Sequence, residues 1–88
     1  MTSVLITGAA SGIGAAIARR LAAPGIKLVL HTRKNVNGLE AVANEARAAG
    51  AEATTLIADL TDPTNAAKLV ESAATSMGGL DWLVANAG

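Results

Sequence analysis

At 88 residues the chain has room for one domain at most, and a domain of this size buries only about 60–70% of the surface its unfolded chain exposes. Seven basic and seven acidic side chains cancel to a formal charge of zero, which removes the electrostatic signature of a protein that coats nucleic acid or an anionic membrane. The absence of Cys excludes disulfides, thiolate metal sites and a cysteine nucleophile, and with one aromatic residue, Trp82, the core must be built from Val, Leu, Ile and Ala.

No basic segment, long apolar segment and cleavage site follow Met1, and no apolar run approaches the ~18 residues of a membrane span, so a cytoplasmic location is expected. Ser3–Thr7 ("SVLIT") is a short apolar run that ends at Gly8 and reads as a strand. A helix is predicted from Ile13 to Ala23, with Ile13, Ile17 and Leu21 on one stripe and Pro24-Gly25 as its stop. Ile26–Thr32 ("IKLVLHT") is the second strand. The second helix, Val36–Ala49, places Leu39, Val42, Ala43 and Ala46 on a common face, and Gly50 stands where a left-handed cap is expected. Ala53–Ala58 is the third strand. Asp62 is a suitable N-cap with Pro63 at the first helical position, after which Ala66, Leu69, Val70, Ala73 and Met77 recur at helical spacing until Gly78-Gly79. Leu80–Ala85 closes the chain as a fourth strand, its start anchored by Asp81 and Trp82. The order βαβαβαβ, with strands that do not alternate strictly, predicts an α/β fold with a parallel sheet covered by helices on both faces.

Gly8, Gly12 and Gly14 fall where the first strand hands over to the first helix, the place where an open α/β sheet binds ligands. Gly8 allows a sharp turn out of the strand, Gly12 has no side chain to hold a diphosphate away from the backbone, and Gly14 lets the helix press against the sheet. The helix N-terminus supplies unpaired N–H groups and a partial positive charge, and Ser11 a hydroxyl donor. The spacing is neither GxGxxG nor a Walker loop, and a plain glycine-rich turn stays open as the alternative.

Thr7–Gly14 ("TGAASGIG"), Asp59-Leu60 after the third strand and Asn86-Ala87-Gly88 after the fourth resemble the short-chain dehydrogenase/reductase family, at the family's spacing and over the whole chain. Three residues between the first two glycines match the oxidoreductase branch better than the epimerase-like branch; Ala85 stands where the family often has a second Asn. The resemblance implies a Rossmann-type doubly wound sheet with strand order 3-2-1-4 for the portion present. It also implies a nicotinamide cofactor contacted by Gly8, Ser11, Gly12, Ile13 and Gly14 at the diphosphate, by Asp59 at the adenine amino group and by backbone at Leu60. Asn86, Ala87 and Gly88 would pass beneath the ribose. Asp59 could instead order the turn before Asp62.

An acidic residue at the end of the second strand binds the ribose 2′-OH in dinucleotide folds that prefer NAD. Here Thr32 occupies that position, Arg33 and Lys34 follow, and no carboxylate lies between Gly25 and Leu39. This favours NADP(H) over NAD(H), with a solvated basic turn as the alternative. His31 reads as a packing or edge residue rather than a general base.

The family's catalytic residues are a Ser and a YxxxK pair. The chain has no Tyr, and Ser3, Ser11, Ser72 and Ser76 fall in predicted strand, loop or helix, so no catalytic residue and no metal ligand is assigned. The resemblance therefore implies the N-terminal, nucleotide-binding part of one Rossmann domain whose remainder is missing from residues 1–88. The complete protein is expected to move a hydride between nicotinamide and a small carbonyl/alcohol substrate as a homo-oligomer, dimer or tetramer. The other readings are a non-catalytic dinucleotide-binding or subunit-interaction module and, less favoured by the glycine spacing, an epimerase or dehydratase of the extended branch. With its fourth strand as an exposed apolar edge, the chain by itself is expected to be poorly soluble or to assemble.

Overall fold

In the computed structural model residues 2–59, 62–77 and 79–84 are described. The elements are β1 (Thr2–Ile6), α1 (Gly12–Leu21), β2 (Ile26–Thr32), α2 (Val36–Ala48), β3 (Glu52–Ile57), α3 (Pro63–Met77) and β4 (Trp82–Val84). All strand pairs are parallel and the sheet order is β3-β2-β1-β4, the Rossmann-like arrangement predicted.

Side chains alternate across a strand, and the two central strands separate cleanly on that period. Val4, Ile6, Leu28 and Leu30 face α1 and α2, where Ala15, Ala18, Leu39, Val42, Ala43 and Ala46 complete one core layer. Leu5 and Val29 face the other way, against Leu69 and Ala73 of α3. Burial on both sides is why these strands read as unbroken apolar runs. The outer strands differ from that expectation: in β3 half-buried and exposed positions interleave, with Ile57 exposed, and in β4 Trp82 and Leu83 are exposed. An edge strand has a neighbour on one side only, and its helix cover thins accordingly.

The helices hold to the predicted order, with one difference on α1. Gly14, Ala15 and Ala18 are buried, and of the predicted stripe only Ile17 packs against the core layer; Ile13 is 70% exposed and lines a shallow groove with Ile17 and Leu21. Small side chains let the helix axis approach the strands closely, and the two ends of the bulky stripe stay outside the contact as a result. On α2 the expected face, Leu39, Val42, Ala43 and Ala46, is buried. Arg19 of α1 pairs with Glu45 of α2 across the layer. At the start of α3 the Thr64 N–H donates to Asp62 Oδ1 at 2.9 Å, the expected cap, and Leu69 and Ala73 are buried while Val70 is exposed.

The fourth strand is shorter than predicted, and its entry is held as expected. Asp81 Oδ2 accepts the Ser3 N–H at 2.8 Å and the Asp81 N–H donates to the Ser3 carbonyl at 3.0 Å, so a carboxylate and a backbone pair lock β4 beside β1. Replacing the carboxylate (Asp81→Ala) should lower the free energy of unfolding by about 1 kcal/mol. Urea titration would read this as a lower midpoint with an unchanged slope.

Candidate functional site

The loop between β1 and α1 leaves the sheet at its centre and is tied down on both flanks. Thr7 donates its N–H (3.0 Å) and its hydroxyl (3.3 Å) to the Val84 carbonyl of β4. The Gly8 N–H donates to His31 Nδ1 at 3.2 Å and the Ala9 N–H to the His31 carbonyl at 2.7 Å, both on β2. Gly8 and Gly12 both have left-handed backbone (φ 64° and 61°), which gives the loop its two sharp reversals.

Beyond the second reversal the loop offers donors rather than using them. Ser11 is the N-cap of α1 with an extended backbone, its side chain makes no capping bond, and the first turn carries no acidic residue. A Cβ added at Gly12 would meet nothing within 4 Å. The amides of the first turn therefore open onto clear space with a partial positive charge and no side-chain acceptor from the cap, the chemistry that an anion such as a diphosphate requires. Gly14, the third residue of α1, is buried.

The start of α2 forms the adjoining wall. Asn35 Oδ1 accepts the Gly38 N–H at 3.0 Å, and a Cβ at Gly38 would lie 2.8 Å from the Ala10 carbonyl oxygen. Gly38 was not singled out in the sequence, where a glycine inside a helical pattern with no cap role is its only signal. At the ends of β2 and β3, Thr32 is buried and its carbonyl accepts the Ala58 N–H at 3.1 Å. Arg33 is more than half exposed, with Nε 3.6 Å from Asp59 Oδ2, and Lys34 is exposed beside it. The Asp59 carbonyl accepts from Asn65 Nδ2 at 3.1 Å, which joins the β3 end to α3.

The structure thus gathers Gly8, Ser11, Gly12, Ile13 and Gly14 in one loop and helix start, and sets Thr32, Arg33, Lys34 and Asp59 at the neighbouring strand ends. Leu60, Asn86, Ala87 and Gly88 lie outside the described residues. The Gly8 N–H is directed into the protein, and its left-handed backbone makes the turn expected of it. His31 lies on an internal strand and is a double hydrogen-bonding residue: only 1% exposed, it also has Nε2 2.8 Å from the Ala58 carbonyl. Its signal in the sequence is a lone polar ring at the end of a buried apolar run.

The family model described as short chain dehydrogenase matches residues 2–88. A 1-deoxy-11-beta-hydroxypentalenate dehydrogenase of Streptomyces avermitilis is 40% identical over 87 residues, which is 99% of this chain and 32% of that protein. A short chain dehydrogenase from Burkholderia cenocepacia, crystallised in complex with NADP, superposes with a TM-score of 0.92 at 41% identity over 99% of this chain and 36% of that one. A metagenomic short-chain oxidoreductase, also in complex with NADP, gives 0.89 at 41% identity over 99% of this chain and 39% of that one. The chain belongs to the short-chain dehydrogenase family of oxidoreductases. It spans about a third of the length of the relatives it matches, 32% in the first case above.

Gly38→Ala should drive the new methyl against the Ala10 carbonyl and lower stability by roughly 1–3 kcal/mol, as overpacking against backbone does. Chemical denaturation measures it, and amide hydrogen exchange across residues 8–12 should accelerate in the same variant.

Proposed function

We propose that these residues are the NADP(H)-binding part of an oxidoreductase that transfers a hydride between nicotinamide and a small carbonyl/alcohol substrate. The observation that carries the reading is the N-terminus of α1: a cap side chain without a capping bond, no acid in the first turn, and open space at Gly12. The amides of Ser11, Gly12, Ile13 and Gly14 would take the diphosphate there. Two related structures at 41% identity carry NADP, which supports the same assignment.

The choice of the phosphorylated nucleotide rests on the β2 end. No carboxylate lies between Gly25 and Leu39, and Thr32 is followed by two cations, Arg33 and Lys34. Asp59 holds the Arg33 guanidinium over the strand ends through an exposed pair, an interaction of about 0–1 kcal/mol that a doubly charged phosphate can displace. Asp59 would then be released toward the adenine amino group. Bound cofactor supplies the hydride chemistry itself. The family's proton-transferring tyrosine is not among the 88 residues, which contain no Tyr, so this chain's residues bind and orient while acid–base work is assigned to none of them. Substrate binding and assembly as a dimer or tetramer belong to the complete protein in this reading.

Arg33→Ala should weaken NADPH binding about tenfold, the effect of one lost charge-assisted hydrogen bond, and NADH binding less than twofold. Calorimetric titration of the chain with each nucleotide measures both. Equal weakening would contradict the 2′-phosphate assignment, and failure of the unaltered chain to bind either nucleotide would contradict the cofactor reading as a whole.

A further inference from the structure

We propose that His31 is a positioning residue for the cofactor, and that its neutral ring, protonated on Nε2, holds the glycine loop in the shape that leaves the α1 amides pointing outward. The inference rests on the NADP(H) reading above and adds to it a residue that does not touch the cofactor.

The hydrogen-bond partners determine the state of the ring. A backbone N–H can only donate, so the 3.2 Å contact with Gly8 requires a bare Nδ1. A carbonyl oxygen can only accept, so the 2.8 Å contact with Ala58 requires a proton on Nε2. Of the three states open to an imidazole, two neutral and one cationic, one satisfies both partners. Burial makes the two bonds matter, because a polar ring removed from water is destabilising unless its nitrogens are matched. Val29, two residues earlier on the same face of β2, shows what a purely packing side chain looks like there.

The same residue controls successive peptides of the loop. Its carbonyl takes the Ala9 N–H at 2.7 Å while its ring takes that of Gly8, so two adjacent amides are both turned toward β2. Gly8 has φ 64°, a conformation from which a glycine peptide can rotate at low cost, and the ring bond opposes that rotation. Only Ala10 and Ser11 separate this pair from Gly12, so its orientation sets the direction from which the chain enters α1. The far side of the ring is bonded to Ala58, immediately before Asp59, whose carboxylate pairs with Arg33. One side chain thereby joins the loop assigned to the diphosphate with the strand ends assigned to adenosine.

The two nitrogens can be removed separately. In His31→Asn the amide oxygen lies near the position of Nδ1 and can still accept from Gly8; in His31→Gln the amide nitrogen lies near that of Nε2 and can still donate to Ala58. NADPH titrations of the full chain should show H31Q and His31→Leu weakened about tenfold, as for a buried donor left unmatched, and H31N within about threefold of the unaltered chain. Long-range ¹H–¹⁵N spectra of the unaltered chain should show the proton on Nε2, a readout that needs no variant and stands even where H31L does not fold. A proton on Nδ1, or equal NADPH affinity in folded H31N, H31Q and the unaltered chain, would overturn the proposal. An unaltered chain that shows the Nε2 proton but does not bind NADPH would instead overturn the cofactor reading and, with it, the positioning role.

Discussion

The central pairing of β1 with β2 is the constraint from which the rest follows. Their residues Val4, Leu5, Ile6, Leu28, Val29 and Leu30 are buried on both faces, so these strands can occupy only the middle of the sheet, with helices on either side. Parallel pairing then places their C-terminal ends together. The loop leaving β1 emerges there with β4 on one flank and β2 on the other, and the hydrogen bonds of Thr7, Gly8 and Ala9 are divided between those neighbours. A site at this edge is a consequence of sheet order rather than of any one motif residue.

The composition of α1 is the second half of the same constraint. Gly14, Ala15 and Ala18 allow the helix to lie close to the strands, which brings its N-terminus up to the loop. Larger residues on that face would lift the helix and carry its amides away. The close approach leaves Ile13 and Leu21 exposed, with Ile17 half-buried against the core layer. Polar atoms are accommodated throughout: among the described residues no buried side-chain nitrogen or oxygen lacks a partner, and the buried polar groups sit at the strand ends, as His31, Thr32, Ser3 and Thr7 do.

Much of this was legible in the residues. Apolar runs bounded by glycine and proline located the strands, period-3.6 patterns and the Asp62 cap located the helices, and the glycine spacing located the loop. What was not legible shares one cause, namely that the answer depends on a neighbour distant in sequence. How much of the Ile13, Ile17, Leu21 stripe is covered is decided by how closely α1 packs on the strands: Ile17 reaches the core, whereas Ile13 and Leu21 stay exposed. Gly38 is required both by the N-cap side chain of Asn35 and by the Ala10 carbonyl, and the second of these lies 28 positions away by number. His31 has partners at Gly8 and Ala58, on either side of it in the chain, that exist only once three strands are aligned. The opposite sign of charge at Arg33 and Asp59 was visible, but not that the two would meet.

The central claim is that the first turn of α1 presents its amides to a diphosphate. Following backbone ¹H–¹⁵N resonances while NADPH is added to the isotopically labelled chain tests it most directly. The account predicts that the largest shifts fall on the amides of Ser11 through Ala15, with smaller ones at Arg33, Lys34 and Asp59, while the outward groove of α1 at Leu21 is undisturbed. Shifts confined to that groove or to the β4 edge at Trp82 and Leu83, with the first-turn amides unmoved at saturation, would contradict it.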